Sequence, residues 1–400
     1  MKKWALLLFS LVLLTVCFAG CGKEPYVTVE YITDNDVFKT VSYEEIDSLE
    51  KLTEIPRKDG YFFGGWYYDF GKWEKPFDVG EFNYNWEKGS YKVYAKWEVV
   101  ELTLAEDKRS YTVSAVLAGA GEHVSIPSYY EGLPVATIGD AVFRDKTNLL
   151  SVDIPDTVKH IGSYAFSGCT SLTSLTMPHS VLTTGTGAFE GCNALASIRL
   201  SEHLEILGAR TFAGCTALTE VSLPSSLIKI GGSAFFGCTG FSSMTLPKYL
   251  QEIGPRAFGG CTGLTTVAIP DRVTTIEEYA FEGCTSLSSV TFGEKTSLMQ
   301  LCKRAFAGTA IESLTLPKRL AVLYGGAFAG MEKLKTLTFA GADIIDNDLM
   351  EGTPVTVLTL TDTMERFHAM TKSEYWYRNS LGNVTSVVCT NGTVAVSAAE

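Results

Sequence analysis

The sequence has no run rich in lysine and arginine, and its 45 acidic residues outnumber its 33 basic ones. The formal net charge of −12 at pH 7 disfavours nucleic acid and anionic lipid headgroups, which bind basic surfaces. The five histidines are scattered and share no spacing: His123, His160, His179, His203 and His368. The charge balance thus disfavours two classes of partner without selecting another.

Signatures of catalysis and of bound cofactors are also missing. No paired histidines accompany cysteines at metal-ligand spacing, and no glycine-rich phosphate loop follows a strand and opens a helix. No cluster of acid, base and nucleophile can be recognised. The sequence therefore predicts a non-enzymatic protein with no catalytic residues, no metal ligands and no cofactor.

The apolar run at residues 4–18 is shorter than the roughly 20 residues that a membrane-spanning helix needs. It follows a basic start, Met1-Lys2-Lys3, and precedes small residues. This order predicts a secretory signal peptide over residues 1–20. An uncleaved membrane anchor is the alternative.

Phe18-Ala19-Gly20-Cys21 resembles a bacterial lipobox, although Phe18 stands where leucine is usual. The resemblance implies that Cys21 is lipidated and becomes the first residue of the mature protein, with residues 21–26 as a linker. The lipid would hold the chain outside the cell, on the bacterial membrane. Loss of Lys2 and Lys3 would change the net charge from −12 to −14. An ordinary cleaved signal peptide is the alternative.

One short phrase is repeated over most of the remaining chain. Phenylalanine recurs every 23 residues, at Phe143, Phe166, Phe189, Phe212, Phe235, Phe258 and Phe281. It then returns at Phe306 and Phe328. Cysteine follows in register, at Cys169, Cys192, Cys215, Cys238, Cys261 and Cys284. A fixed period in the twenties is typical of a solenoid.

Each repeat contains an alternating apolar segment, such as Leu218-x-x-Val221-x-Leu223, which predicts a short strand. The proline that follows most copies ends the strand, because it has no N–H to donate. One repeat cannot bury its own apolar side chains, but stacked repeats with strands ~4.8 Å apart bury them together. We therefore predict a parallel β-solenoid of roughly ten coils.

The repeat resembles the BspA-like class of bacterial leucine-rich repeats, L-x-x-L-x-L-P-x-x-L-x-x-I-G-x-x-A-F-x-G-C, most closely at residues 218–238 and 264–284. The resemblance implies a right-handed, β-rich solenoid with leucine-rich repeats over residues 139–361. Since the end coils expose apolar surface, we expect caps at residues 99–138 and 362–400. Asn391-Gly392 predicts a hairpin in the second cap.

Residues 27–98 lack the 23-residue period. Residues 60–67 and 91–97 resemble the Listeria–Bacteroides repeat, the B-repeat of internalin-type surface proteins. The resemblance implies a small β-grasp-like α+β domain, with strands at these segments and at 27–31 and a short helix at 43–52. Its aromatic residues either form the core (Trp66, Tyr67, Trp97) or stay exposed to contact sugar or protein (Trp73, Tyr84, Trp86).

The recurring cysteines do not suit disulfides. Equivalent Cβ atoms of parallel strands lie ~4.8 Å apart and point the same way, whereas a disulfide needs them ~3.5–4.5 Å apart and facing each other. We expect buried, reduced thiols and no disulfide. Glycines recur at one turn position, where we expect backbone freedom to be the reason: Gly162, Gly208, Gly231 and Gly254.

The outward positions of the predicted strands are mostly serine and threonine. The candidate ligand-binding residues among them are Ser174, Thr176, Arg199, Glu220, Ser222, Thr245, Thr291 and Thr315. Because threonine favours strands, this face is either inert and solvated or an extended concave surface that binds a large partner through many hydrogen bonds. The irregular repeat at residues 294–303 is a second candidate site.

The resemblance to BspA-like proteins implies adhesion, since members of the class bind matrix glycoproteins. We therefore expect a monomeric, lipid-anchored protein that faces outwards from a bacterial cell and binds a matrix glycoprotein or glycan of a host or microbial surface. The alternative is a structural protein that spaces envelope components and has no tight ligand.

Overall fold

The computed structural model describes residues 27–33, 36–43, 56, 58, 61–68, 77, 89–117, 120–340, 344–346, 348–365 and 383–395. The predicted signal peptide, Cys21, nearly all of the predicted helix at 43–52, and Trp73, Tyr84 and Trp86 lie outside these residues. The chain divides into two compact units, residues 1–56 with 63–96, and residues 57–62 with 97–400. Within the described ranges, no helix is long and apolar enough to cross a bilayer.

The first unit contains a four-stranded sheet in the order β2-β1-β4-β3. Its strands are Val27–Thr33 (β1), Asp36–Tyr43 (β2), Phe62–Tyr67 (β3) and Gly89–Glu98 (β4). β1 pairs antiparallel with β2 and parallel with β4. Alternate β1 residues are buried, and Tyr31 meets the edge of Trp66 at 4.9 Å between ring centroids. Trp66 therefore belongs to the core, as one interpretation of the sequence expected. Strand β2 was not predicted from the sequence.

The second unit begins with Val100–Leu104 (β5), Tyr111–Val116 (β6), His123–Ser125 (β7) and Tyr129–Tyr130 (β8). After these strands, each coil of the solenoid contributes one strand to a side ladder and one to a front ladder.

The side ladder is continuous from β5 through β6 and along the solenoid. Its pairs from β6–β9 onwards are parallel, and the short strand β8 adds one antiparallel pair with β9. Its further strands are Leu133–Ile138 (β9), His160–Ile161 (β11), Thr183–Thr184 (β13), Ile206–Leu207 (β15), Lys229–Ile230 (β17), Glu252–Ile253 (β19), Thr275–Ile276 (β21), Gln300–Leu301 (β23), Val322–Leu323 (β25) and Ile344–Ile345 (β27). The antiparallel pair β5–β6 closes its N-terminal end.

The front ladder carries the predicted alternating segments. Its strands after β7 are Ser151–Asp153 (β10), Ser174–Thr176 (β12), Ser197–Arg199 (β14), Glu220–Ser222 (β16), Ser243–Met244 (β18), Thr266–Ile269 (β20), Ser289–Phe292 (β22), Ser313–Thr315 (β24), Thr336–Phe339 (β26), Val357–Leu360 (β28), Ser386–Cys389 (β29) and Gly392–Ala395 (β30). β29 and β30 pair antiparallel across Asn391-Gly392, which confirms the predicted hairpin.

Unlike the side ladder, the front ladder is interrupted. Its sheets are β7-β10, β12-β14-β16, β18-β20-β22 and β24-β26-β28-β29-β30, so no pairing joins β10 to β12, β16 to β18 or β22 to β24. Val221, the inward side chain of β16, is half-buried, whereas Ile198 and Met244 in the neighbouring coils are buried. The core is therefore partly open at the interruption after β16.

The phenylalanines form one buried column. From Phe143 to Phe306, consecutive rings stack nearly parallel, with centroids 4.8–5.6 Å apart and interplanar angles of 3–19°. The six repeat cysteines are buried beside it, and each Sγ lies 3.0–3.1 Å from the carbonyl oxygen of the phenylalanine one coil earlier. The predicted inward columns, and with them the β-rich solenoid, are confirmed.

The recurring turn glycines have a different cause from the one expected. Gly162, Gly208, Gly231 and Gly254 do not adopt a positive φ, so backbone freedom is the wrong reason. A Cβ at any of them would lie 2.6–2.7 Å from a backbone atom of the preceding coil. Since real Cβ atoms do not approach backbone so closely, glycine is needed there for the contact between coils.

We expect Phe235→Ala to lower the free energy of unfolding by about 3–5 kcal/mol, because it opens a cavity in the ring column. Phe235 is fully buried, with rings at 5.5 and 5.3 Å on either side. The control is the next residue, Phe236→Ala, whose side chain is 42% exposed. Urea unfolding followed by circular dichroism measures both, and equal losses would contradict the inward column.

Candidate functional site

The eight candidate residues are all exposed at outward positions of the front-ladder coils. Alternation along each strand places them there: in β16, Glu220 and Ser222 point out on either side of Val221. The strand register aligns them between coils, so that Thr176 pairs with Arg199 and Arg199 with Ser222. Exposure agrees with both interpretations of this face, the inert one and the binding one.

A groove of about 1180 Å³ brings four of the candidates together: Glu220, Ser222, Thr245 and Thr291. It crosses four coils and begins at the interruption between β16 and β18. Val221, Leu223, Met244, Leu246, Ile269 and Phe292 give it an apolar lining. The other four candidates, Ser174, Thr176, Arg199 and Thr315, lie outside the lining.

The repeat pattern alone does not predict the groove, because interruptions come from differences between neighbouring coils. One such difference is Phe241, which stands where the adjacent coils have Leu218 and Leu264. Its ring is buried and meets Phe235 edge-on at 5.6 Å. The larger side chain thus marks the coil that follows the interruption, but it does not recur at the other interruptions, where Leu172 and Ile311 occupy this position.

A column of tight turns runs beside the groove. In four successive coils the turn is closed by a backbone N–H···O=C bond of 3.0–3.2 Å: Leu250 to Pro247, Val273 to Pro270, Thr296 to Gly293, and Leu320 to Pro317. We name as the turn column the exposed central residues of these turns, Lys248, Tyr249, Asp271, Arg272, Glu294, Lys295, Lys318 and Arg319. Lys248 and Asp271 also line the groove.

The turn column is basic. Its five cations and two carboxylates give a net charge of +3 in a chain of −12. The guanidinium of Arg272 lies 4.8 Å from the ring centroid of Tyr249, and the ammonium of Lys248 lies 5.7 Å from it. The ring, 45% exposed, therefore lies close to two positive charges, beside the groove that Lys248 lines.

The equivalent turns of the four preceding coils have the opposite character. Their central residues include Asp156 and Glu202 but no lysine or arginine. A smaller groove of about 470 Å³ lies here, lined by Asp156, His179, Ser180, Leu182 and His203. His203 donates from Nδ1 to the carbonyl oxygen of His179 at 2.9 Å. No group of three or more His, Cys, Asp or Glu side chains suited to a metal ion occurs in the part of the chain that the structure describes.

The buried thiols are held in their protonated form. Burial raises the pKa of Cys169, Cys215 and Cys284 to about 12, and that of Cys238 and Cys261 well above the ordinary value. In the irregular coil at 294–303, burial raises the pKa of the half-buried Cys302 to about 11. Since the thiolate is the reactive form, none of these cysteines suits a nucleophilic role at neutral pH.

The profile of the BspA type leucine rich repeat region matches residues 136–265 and 251–375, in six copies. Together the two matches cover 240 of the 400 residues. This chain belongs to the BspA-type leucine-rich-repeat family. The family assignment confirms the resemblance seen in the repeat, and BspA-type repeats account for the solenoid.

Several solved leucine-rich-repeat proteins are similar to this BspA-type chain. One from Bacteroides ovatus is 24% identical, with 66% of this chain and 70% of that chain covered and a TM-score of 0.48. The T. pallidum leucine rich repeat protein is 25% identical, covering 52% and 86%, at 0.40. A leucine rich cell surface protein from Faecalibacterium prausnitzii is 23% identical, covering 69% and 97%, at 0.37. No curated protein matches the chain.

The raised thiol pKa values predict that the BspA-type solenoid loses stability in alkali. The contribution of the thiols is fully present below the unfolded-state pKa of 9.0 and is lost as the pH rises towards about 12, because only the unfolded chain can ionise there. The urea midpoint should therefore fall across this range. Cys238→Ala/Cys261→Ala should make the fall shallower, and an unchanged slope would contradict the assignment.

Proposed function

We propose that this protein is lipid-anchored on the outside of a bacterial cell and binds a macromolecule of a host or of a neighbouring cell. The observation that carries the binding part is the groove over four coils, which gathers Glu220, Ser222, Thr245 and Thr291. Its volume of about 1180 Å³ exceeds the roughly 300–1,000 Å³ of small-molecule pockets, so an extended partner fits it better.

The lining of the groove suits such a partner. Hydroxyl groups of Ser222, Thr245 and Thr291 recur along it and can each donate and accept a hydrogen bond. Between them the half-buried side chains of Val221 and Leu223 offer apolar contact. The stacked coils hold these groups in place before a partner arrives, which lowers the entropy cost of binding.

The anchor rests on the first 21 residues, with their basic start, short apolar run and Cys21. A lipid on Cys21 would keep the binding surface outside the cell and close to the membrane. Binding then takes place where a matrix glycoprotein or a surface glycan is available.

A second candidate is a spacer of envelope components. The continuous side ladder favours it, because a rod stiffened by uninterrupted strand pairing can separate two attachment points without a tight ligand. A variant that lacks residues 139–352 but keeps the anchor distinguishes the two functions. Loss of cell attachment supports binding, whereas loss of envelope integrity alone supports spacing.

Cys21→Ser should abolish incorporation of labelled palmitate and move the protein from the membrane fraction to the soluble fraction, because the lipid-bearing thiol is gone. Cys17→Ser is the matched control and should leave both unchanged. Continued labelling of the Cys21→Ser protein would rule out Cys21 as the attachment site.

Filling the groove should weaken binding. We expect Ser222→Tyr/Thr245→Tyr to weaken saturable binding to an arrayed matrix glycoprotein or surface glycan by at least about tenfold, since the new rings occupy the groove. Thr176→Tyr places the same ring on the same face outside the groove and should bind normally. If the unaltered protein shows no saturable binding, the proposal of adhesion is wrong and the function as a spacer of envelope components remains.

A further inference from the structure

The charge at the turns reverses along the solenoid. The formal charge changes from −2 over the first four turns, with Asp156 and Glu202, to +3 over the next four. None of the five cations in the turn column forms a salt bridge with a described residue. They are therefore available to an outside anion at one side of the groove.

The spacing of these cations follows the coils. The phenylalanine rings, one per coil, lie 4.8–5.6 Å apart, and each coil closes its turn with the same backbone hydrogen bond. Lys248, Arg272, Lys295 and Lys318 thus stand in four consecutive turns, one coil apart. Arg272, Lys295 and Arg319 share the second central position of three consecutive turns, so they form a row of positive charges along the solenoid axis. The first central position carries two cations and two carboxylates.

The groups that line the groove beside this row also recur from coil to coil along the solenoid axis. Ser222, Thr245 and Thr291 present hydroxyl groups from three of its four coils, and Ala268 occupies the equivalent position in the remaining one. Tyr249 adds a half-exposed ring between Lys248 and Arg272. Cation, hydroxyl and aromatic ring are the groups that bind an acidic sugar through its charge, its hydroxyls and its apolar ring face.

We propose that the groove and the turn column bind a linear acidic polysaccharide that carries a carboxylate or sulfate on successive units and lies along the solenoid axis. This deepens the proposed function, on which it rests, by naming the chemical class of the partner. A polymer with the same group on each unit repeats its contact at each coil, so weak contacts add up through multivalency. An extended acidic peptide points successive side chains to opposite sides, so its charges recur on one side about every 6.6 Å and do not match the interval between coils.

The binding test uses the full chain and heparin fragments of defined length, with polygalacturonate as a carboxylate-only polymer, dextran as a neutral one and polyglutamate as an acidic peptide. We expect both acidic polysaccharides to bind, with affinity that rises with fragment length until the four coils are covered. Dextran should not bind. Equal or tighter binding of polyglutamate would overturn the proposal in favour of an acidic protein segment.

The site is tested by removing charge without shortening the side chains. Arg272→Gln/Lys295→Gln/Lys318→Gln should weaken heparin-fragment binding about tenfold or more and lower the slope of log affinity against log salt by about three, one for each cation removed. The matched control removes three exposed cations of other columns, Arg109→Gln/Lys159→Gln/Lys303→Gln. Equal weakening by both triples would show attraction by overall charge and overturn the site.

The two proposals can fail separately. If the groove-filling variants weaken binding to a glycoprotein while no acidic polysaccharide binds, the proposed function stands and the polysaccharide assignment is wrong. If heparin binds through the turn column but no cell or matrix preparation is captured, the assignment stands and adhesion is wrong. Thermal unfolding of each variant confirms that the substitutions leave the solenoid folded.

Discussion

Contact between each coil and the next at one fixed separation is the constraint on which the whole solenoid depends. The ring column sets it from within, with Phe166 and Phe189 stacked 5.2 Å apart at an angle of 3°. The thiol of Cys192 reinforces it by reaching back to the carbonyl oxygen of Phe166. Gly231 permits it at the turn, where a Cβ would meet the backbone of the preceding coil. Stability is then a sum of contacts between neighbours, as in other repeat proteins.

The same constraint decides where function can lie. Inward positions have to fit the neighbouring coil, so their chemistry hardly varies along the rod, and only outward positions are free to change. The surface is therefore organised in columns, with one side chain per coil in each. Along the turns, the residues change from Asp156 and Glu202 to Lys248 and Arg272. A groove opens in the same coils, so this part of an otherwise uniform rod has a charge and a shape of its own.

The periodic features could be predicted from the sequence because each inward position repeats many times over. The phenylalanine and cysteine columns, the exposure of residues such as Ser222 and Thr245, and the hairpin at Asn391-Gly392 all follow from pattern and turn chemistry. The groove could not be predicted in this way, since it depends on an interruption between two particular strands, near Phe241. The reason for Gly231 was also hidden, because a close approach between coils is a property of the stack and not of one repeat.

In the last coils another residue stands at the cysteine position, and this replacement shows why cysteine suits that position. Thr309 stands at the cysteine position, and its buried hydroxyl has no hydrogen-bond partner in the described structure, whereas each cysteine thiol reaches the carbonyl behind it. A thiol combines an apolar body with a weak donor, so it adapts to a site that leaves a hydroxyl unsatisfied.

Phe281 and Phe306 are separated by 25 residues instead of 23, yet their rings stack at 5.4 Å like the others. The coil between them has therefore taken in two extra residues without displacing the ring column or the side ladder, although the front ladder is interrupted there between β22 and β24. Coil length and column register are independent in this architecture. New segments can enter at the turns of the rod and acquire chemistry of their own, while the stack that supports them stays unchanged.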